Sequence, residues 1–169
     1  MSAVVLPLLV AALLVGLDQI TKIIVMQTMT LHQSIVLIPG FFEFQYVRNP
    51  AAAMGFFKNV PHARIILIVL TVIVMAVFLY AILFRRIRSK LALWASALIL
   101  AGGVGNLIDR IFRGEVVDFM LFQSSWFPFI FNVADIFVVV GGGMIILHLI
   151  LEIIQESRHG RKDEQESDE

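Results

Sequence analysis

"IILIVLTVIVMAVFLYAILF", residues 65–84, runs twenty positions without a charge. An α-helix rises about 1.5 Å per residue, so roughly 20 apolar residues cross the ~30 Å hydrocarbon core of a bilayer. The stretch reads as a transmembrane helix. Directly after it, "RRIRSK" (85–90) holds four basic residues in six positions, and "LALWASALILAGGVGNLI" (91–108) resumes without a charge. A tight basic loop between two spans is expected on the cytoplasmic side, because basic loops are retained there.

Working outward, apolar stretches at 4–26 and 132–154 complete four spans, both interrupted by polar residues. The first lacks a basic leader and continues through "DQITKIIVM" to spanning length, so it reads as a retained helix rather than a cleaved signal peptide. Four spans put both termini in the cytoplasm. Segments 27–61 and 109–131 then face outside, and the polar, mixed-charge tail 157–169 is expected to be disordered. In 41–47, Phe42, Phe44 and Tyr46 alternate with Glu43 and Gln45 after a Pro-Gly turn, which reads as a hairpin or small sheet at the membrane surface. The second external segment ends in the aromatic "SSWFPFIF" (124–131), of the kind found in interfacial belts. The expected fold is mainly α: one integral membrane domain over 1–169, a four-transmembrane-helix bundle with a small extracytoplasmic β-sheet.

Composition agrees. The chain of 169 residues is 59% hydrophobic and 15% charged, with a mean hydropathy of +0.90. Soluble domains sit near half apolar and about a quarter charged. A formal net charge of zero gives no reason to expect a nucleic-acid partner. The absence of cysteine excludes thiol nucleophiles, thiolate metal sites and disulfides. Four histidines remain, without an HExxH pair; His148 and Glu152, four apart, are at most a two-ligand fragment.

The polar residues of the spans gather at one end. Asp18 and Lys22 lie near the outer end of the first span; Asn106, Asp109 and Arg110 at the outer end of the third; Asn132 and Asp135 at the outer start of the fourth; Asp118 lies between. Only His148 and Glu152 fall at the cytoplasmic end. An ionisable residue in a span costs on the order of 3 kcal/mol, so it normally has a partner or a function. Asp18 with Lys22, and Asn106 with Arg110, are i,i+4 pairs sharing a helix face.

Asp118 and Asp135 have no obvious local partner. They stand on the two limbs of one external loop and could be folded to face each other. Two carboxylates in a partly desolvated site cannot both ionise easily, which leaves one base and one acid at the same pH. That pairing permits aspartic peptidase chemistry without requiring it. Either residue alone could be a cap or an ion-pair member, and "NVAD" could be a helix cap built on Asn132. The glycines of "AGGVG" (101–105) and "GGG" (141–143) read as close helix-packing surfaces. "GGVGNLIDR" fails the GxGxxG spacing and follows no strand, and "NPA" (49–51) occurs once, where a water channel carries it twice. A serine–lysine peptidase from Ser124 or Ser125 with Lys22 or Lys58 has no support in spacing. A small transporter coupled through Asp135 or Glu152, and a non-enzymatic scaffold, also stay open at this point.

Five motifs in order then resemble one family, the bacterial lipoprotein signal peptidases (signal peptidase II). "DQITK" (18–22) is similar to D-Q-x-[ST]-K, "RNPAAAMGFF" (48–57) to the N-x-G-A-A segment, and "GGVGNLIDR" (102–110) to G-G-x-G-N-x-x-D-R. "VVDF" (116–119) and "FNVAD" (131–135) match V-V-D-F and F-N-x-A-D. The resemblance implies an inner-membrane aspartic endopeptidase that cuts the signal peptide of a prolipoprotein N-terminal to its diacylglyceryl-modified cysteine. It places the catalytic pair on Asp118 and Asp135. Asn49, Asn106, Arg110 and Asn132 fall on positions that orient the pair or bind substrate, and Asp18 and Lys22 on positions of structural support. No metal or cofactor is implied; the partners are the lipidated substrate and membrane lipid, and the expected state is a monomer. Segment 27–61 would be the periplasmic cradle, beside a mobile segment over the site. Two positions depart from the pattern. Ala51 replaces the family's glycine, with Pro50 before it restricting Asn49, and Ile136 stands where a serine often follows the last Asp.

Overall fold

The computed structural model describes residues 2–50, 62–123 and 129–167. Its elements run α1 (Ser2–Thr28), β1 (Ser34–Ile38), β2 (Phe42–Asn49), α2 (Ala63–Leu83), α3 (Lys90–Ile108), a π-helical turn (Asp109–Arg113), β3 (Val116–Phe122), β4 (Phe129–Phe131) and α4 (Val133–Ser167). Among the described residues, four helices are long and apolar enough to cross a membrane: Val4–Thr28, Ala63–Leu83, Lys90–Arg113 and Val133–Ser157.

α3 is the central helix and packs on α1, α2 and α4. Its sequence explains why. Ala92, Ala95, Ser96, Ala97, Ala101, Gly102, Gly103 and Gly105 are all buried, and small residues let helix backbones approach closely where lipid offers no hydrophobic drive to association. A Cβ on Gly102 would stand 2.3 Å from the Ala134 carbonyl oxygen of α4, and one on Gly141 would stand 2.8 Å from the Ala95 carbonyl oxygen of α3. Gly142 and Gly143 face open space. Of the "GGG" run, therefore, only Gly141 is a packing glycine. α2, with only Leu67 and Ile82 buried, presents almost its whole surface outward, as an uncharged span in lipid can.

The sheet is larger than the hairpin expected within 27–61. Its order is β1-β2-β3-β4, antiparallel throughout. β3 and β4 come from the second external segment, where only an aromatic belt was foreseen; residues 124–128 of that belt lie outside the described part. The alternation of β3 decides what faces where. Val117 and Phe119 pack with Tyr46 of β2 and with Val25 and Met29 at the end of α1, anchoring the sheet to the bundle. Strand side chains alternate between faces, so Asp118 points to the opposite side.

One expectation is corrected. Residues 157–167 of the expected disordered tail continue α4, which runs without a break to Ser167. The physical reason is local: glutamate, glutamine, lysine and arginine are good helix formers, and no proline interrupts them.

Candidate active site

Two backbone junctions carry the site. At the first, β2 and β3 pair with Val47 opposite Asp118 and Asn49 opposite Val116. Asn49 is thus a same-face neighbour of Asp118 on the diagonal, and its Nδ2 donates to Asp118 Oδ2 at 2.8 Å. Pro50 restricts Asn49 toward extended backbone, which is what the last residue of β2 requires; Ala51 and the rest of "RNPAAAMGFF" after Pro50 lie outside the described residues. A register shift between Phe44 and Val47 accompanies this end of the strand.

The second junction is the start of α4. Asn132 Oδ1 accepts from the Asp135 N–H and Asp135 Oδ2 accepts from the Asn132 N–H, both at 3.1 Å. This reciprocal arrangement is a capping box with Asn and Asp in its two roles. The cap reading of "NVAD" is therefore correct, yet it does not exhaust these residues. Asp135 Oδ1 also accepts from Asn106 Nδ2 at 2.8 Å. Asn132 Nδ2 donates to Asp118 Oδ1 at 2.6 Å and to Asn106 Oδ1 at 3.1 Å.

The two carboxylates are thus joined through two amides, Asn132 and Asn106. Asp118 is 2% exposed and Asn132 is fully buried. Burial first, and the negative charge of Asp135 second, push the Asp118 carboxyl from 3.8 up to about 7; the amide donors of Asn49 and Asn132 and the charge of Lys22 oppose this and lose. Arg110 lies in the π-helical turn, where its Nη1 donates to the Asn106 carbonyl at 3.3 Å and its charge acts on Asp135 and Asp118. Arg64 of α2 holds that turn by donating to the carbonyls of Arg110 (2.8 Å) and Ile111 (3.2 Å). Its Nε and Nη2 reach backbone oxygens that a regular α-helix would leave engaged, and such π-turns recur at functional sites.

Beneath lies a buried ionic layer. Lys22 Nζ contacts Asp18 Oδ2 at 2.9 Å and Asp109 Oδ2 at 3.0 Å, and donates to Asn106 Oδ1 at 3.0 Å; all three charged side chains are 0% exposed. Arg113 pairs with Asp109 and also donates to Gln19 Oε1 at 2.8 Å. Gln19 Nε2 donates to Asp18 Oδ2, Asp109 Oδ1 and the Gly105 carbonyl. No buried side-chain polar atom among the described residues lacks a partner.

All eight residues singled out from the sequence are therefore in one connected network. Three members were missed as site residues: Asp109, Gln19 and Arg113. The first two sit inside the quoted motifs, and Asp109 is three residues from Asn106, on its helix face. Arg113 lies outside those motifs, but it stands i,i+4 to Asp109, the same acid–base spacing as Asp18 with Lys22. Several alternatives lose ground on geometry. Lys22 is engaged by two carboxylates and an amide; Ser124, Ser125 and Lys58 lie outside the described residues. Glu152 contacts His148 at 3.3 Å, is 55% exposed and stands seventeen residues along α4 from Asp135, about 25 Å at helical rise, outside the polar network. Among the described residues no three His, Asp or Glu side chains group as metal ligands. Ile136 is 38% exposed.

A family model for signal peptidase (SPase) II matches residues 10–151. The chain is 43% identical over 148 residues to the lipoprotein signal peptidase of Symbiobacterium thermophilum, covering 86% of this chain and 95% of that protein. It is 40% identical over 159 residues to that of Geobacter metallireducens, covering 92% and 94%. A solved bacterial membrane enzyme superposes with a TM-score of 0.78 at 31% identity, over 87% of this chain and 88% of the other. The motifs, the four-helix membrane fold and these matches agree: the chain belongs to the signal peptidase II family, multi-pass membrane peptidases that remove signal peptides from lipoproteins.

Proposed function

We propose that the chain is an aspartic endopeptidase with Asp118 and Asp135 as its catalytic pair, cutting diacylglyceryl-modified prolipoproteins on the N-terminal side of the lipidated cysteine. The observation that carries this reading is the two-amide bridge: Asn132 and Asn106 tie one buried carboxylate to the other. The site lies at the end of the bundle remote from "RRIRSK", which supports an active site at the periplasmic face and both termini in the cytoplasm of a bacterial inner-membrane protein. The lipid-facing surfaces of α1, α2 and α4 suit a lipidated signal helix that stays in the bilayer and packs laterally. The protein acts as a monomer, and Asn49, Asn106, Arg110 and Asn132 orient the pair and the substrate.

The mechanism follows from one proton shared by two carboxyls. It rests on Asp118, which is the more deeply buried and whose carboxyl is held near 7. Ionised Asp135 takes a proton from water as the water oxygen bonds to the scissile carbonyl carbon. Asp118 gives its proton to the carbonyl oxygen, so a neutral diol forms and no dedicated oxyanion hole is needed. Asp135 then passes its proton to the amide nitrogen as the C–N bond breaks, while Asp118 takes a diol proton. The products are a carboxylic acid and an amine, and the pair returns to its starting protonation. Asn49 and Asn132 hold the Asp118 carboxyl in plane throughout, because both of its oxygens accept amide hydrogens.

The test is cleavage of purified diacylglyceryl prolipoprotein in detergent by wild type, Asp118→Asn and Asp135→Asn. General acid–base groups contribute roughly 10²–10⁴-fold each, so either folded variant should lose at least about 100-fold in kcat. Activity retained in one folded variant removes that residue from the pair.

A further inference from the structure

Asp118 and Asp135 come from different elements, a strand and a helix start, so something must set the distance between them. The residue before each is held by a carboxylate from elsewhere. The Val117 N–H donates to Asp109 Oδ2 at 3.1 Å, and the Ala134 N–H donates to Asp18 Oδ1 at 2.9 Å. Both carboxylates grip the same ammonium, Lys22, at 3.0 and 2.9 Å. The third contact of Lys22 is Asn106 Oδ1. With that oxygen taken by the ammonium and by Asn132 Nδ2, the Asn106 amide can present only its NH₂ to Asp135.

We propose that Asp18, Lys22 and Asp109 form a spacer that sets the separation of Asp118 and Asp135, Lys22 being the positioning residue common to both sides. The inference rests on the peptidase reading above. In chain terms the linkage runs Val117–Asp109–Lys22–Asp18–Ala134, closing from β3 through the π-helical turn and α1 to α4. Its three charged side chains are 0% exposed, so water neither loosens nor substitutes their bonds. Gly105 makes room for it: a Cβ there would stand 2.6 Å from Asp18 Oδ2. Arg113 and Gln19 hold Asp109 from the outer side, which keeps the charges of the layer balanced at two acids and two bases.

A device that sets the spacing of two coupled carboxylates has a signature that general destabilisation lacks. The two limbs of the pH profile of kcat/KM are set apart by burial of Asp118 and by the interaction between the carboxyls, and the second part falls as they move apart. Fewer folded molecules lower the whole profile without changing its width. The experiment is the pH profile of diacylglyceryl prolipoprotein cleavage by the full chain in detergent, for wild type, Asp109→Asn, Asp18→Asn and Gly105→Ala, with thermal unfolding measured in parallel. Gly105→Ala displaces Asp18 without deleting a charge and carries the test if an Asn variant does not fold. Expected are a drop in kcat of about tenfold or more, KM within twofold, and a narrowed profile, since a displacement of about 1 Å at a reacting group costs up to ~10²-fold. Folded variants with the wild-type profile width overturn the spacer, whatever their kcat. Asp118→Asn serves as a control: cleavage surviving in that variant overturns the assignment of the catalytic pair instead.

Discussion

Asn132 Nδ2 stands 2.6 Å from Asp118 Oδ1, while the same residue's Oδ1 accepts the Asp135 N–H at 3.1 Å. One side chain therefore caps a helix and orients a carboxylate on a neighbouring strand. The two duties separate on substitution.

Serine is a good N-cap but is too short to reproduce both amide donations. Asn132→Ser should keep the start of α4, with a thermal midpoint within a few degrees of wild type. It should still lose on the order of 100-fold in kcat. Parallel thermal unfolding and cleavage assays in detergent check this; a variant with wild-type kcat would show that orientation of Asp118 does not depend on Asn132.

Asp118 gives wild type a pH-dependent stability of known sign. Its carboxyl is raised from 3.8 to about 7 in the fold, so the neutral form is favoured there. Its contribution is fully present below about 3.8 and is lost as pH rises through about 7. Subtracting the thermal midpoints of Asp118→Asn from those of wild type between pH 4 and pH 8 cancels the other carboxylates. That difference should fall with rising pH and level off above about 7. Cleavage by wild type should weaken over the same upper range, because the acid that polarises the carbonyl is being lost.

The packing glycines divide cleanly. Gly102→Ala drives a Cβ to 2.3 Å from backbone oxygen, which cannot swing away as a flexible side chain can. It should destabilise by about 1–3 kcal/mol or more. Gly142→Ala and Gly143→Ala meet nothing within 4 Å and should leave the unfolding midpoint unchanged or slightly raised. Equal midpoints for Gly102→Ala and Gly142→Ala would contradict the close approach of α3 and α4.

Lys22→Met keeps the length of the side chain and removes its charge. Asp18 and Asp109 would then face each other across a dry layer, balanced only by Arg113, which is 20% exposed at its side chain. Removing one partner of a buried ion pair costs about 3–5 kcal/mol. Poor recovery of monodisperse protein and a strongly lowered midpoint are expected. Wild-type stability would mean that the layer does not depend on the charge of Lys22.

Much of this was readable from residue order. A span needs only length and apolarity, and each of the four helices has both within its own stretch. The i,i+4 contact of Asp18 with Lys22 follows from helix periodicity alone, and the cap at Asn132 from a four-residue pattern. The clustering of polar residues at one end followed once the spans were placed, because spans of equal length bring fixed positions to the same depth.

What residue order did not contain were the contacts between elements. β3 reads as an oily stretch, and its role as the strand beside β2 depends on a partner some seventy positions away, at Asn49. The length of α4 was misjudged because a polar stretch looks the same whether it continues a helix or leaves one. Arg113 stands i,i+4 to Asp109, a spacing that residue order does contain, but its contact with Gln19 of α1 is made between elements. Residue order is enough for a four-span membrane protein of recognisable family with two acids lacking a local partner. That those acids share two amides above a common buried ammonium emerges with the packed fold, because the relation is made of long-range hydrogen bonds, which no local pattern encodes.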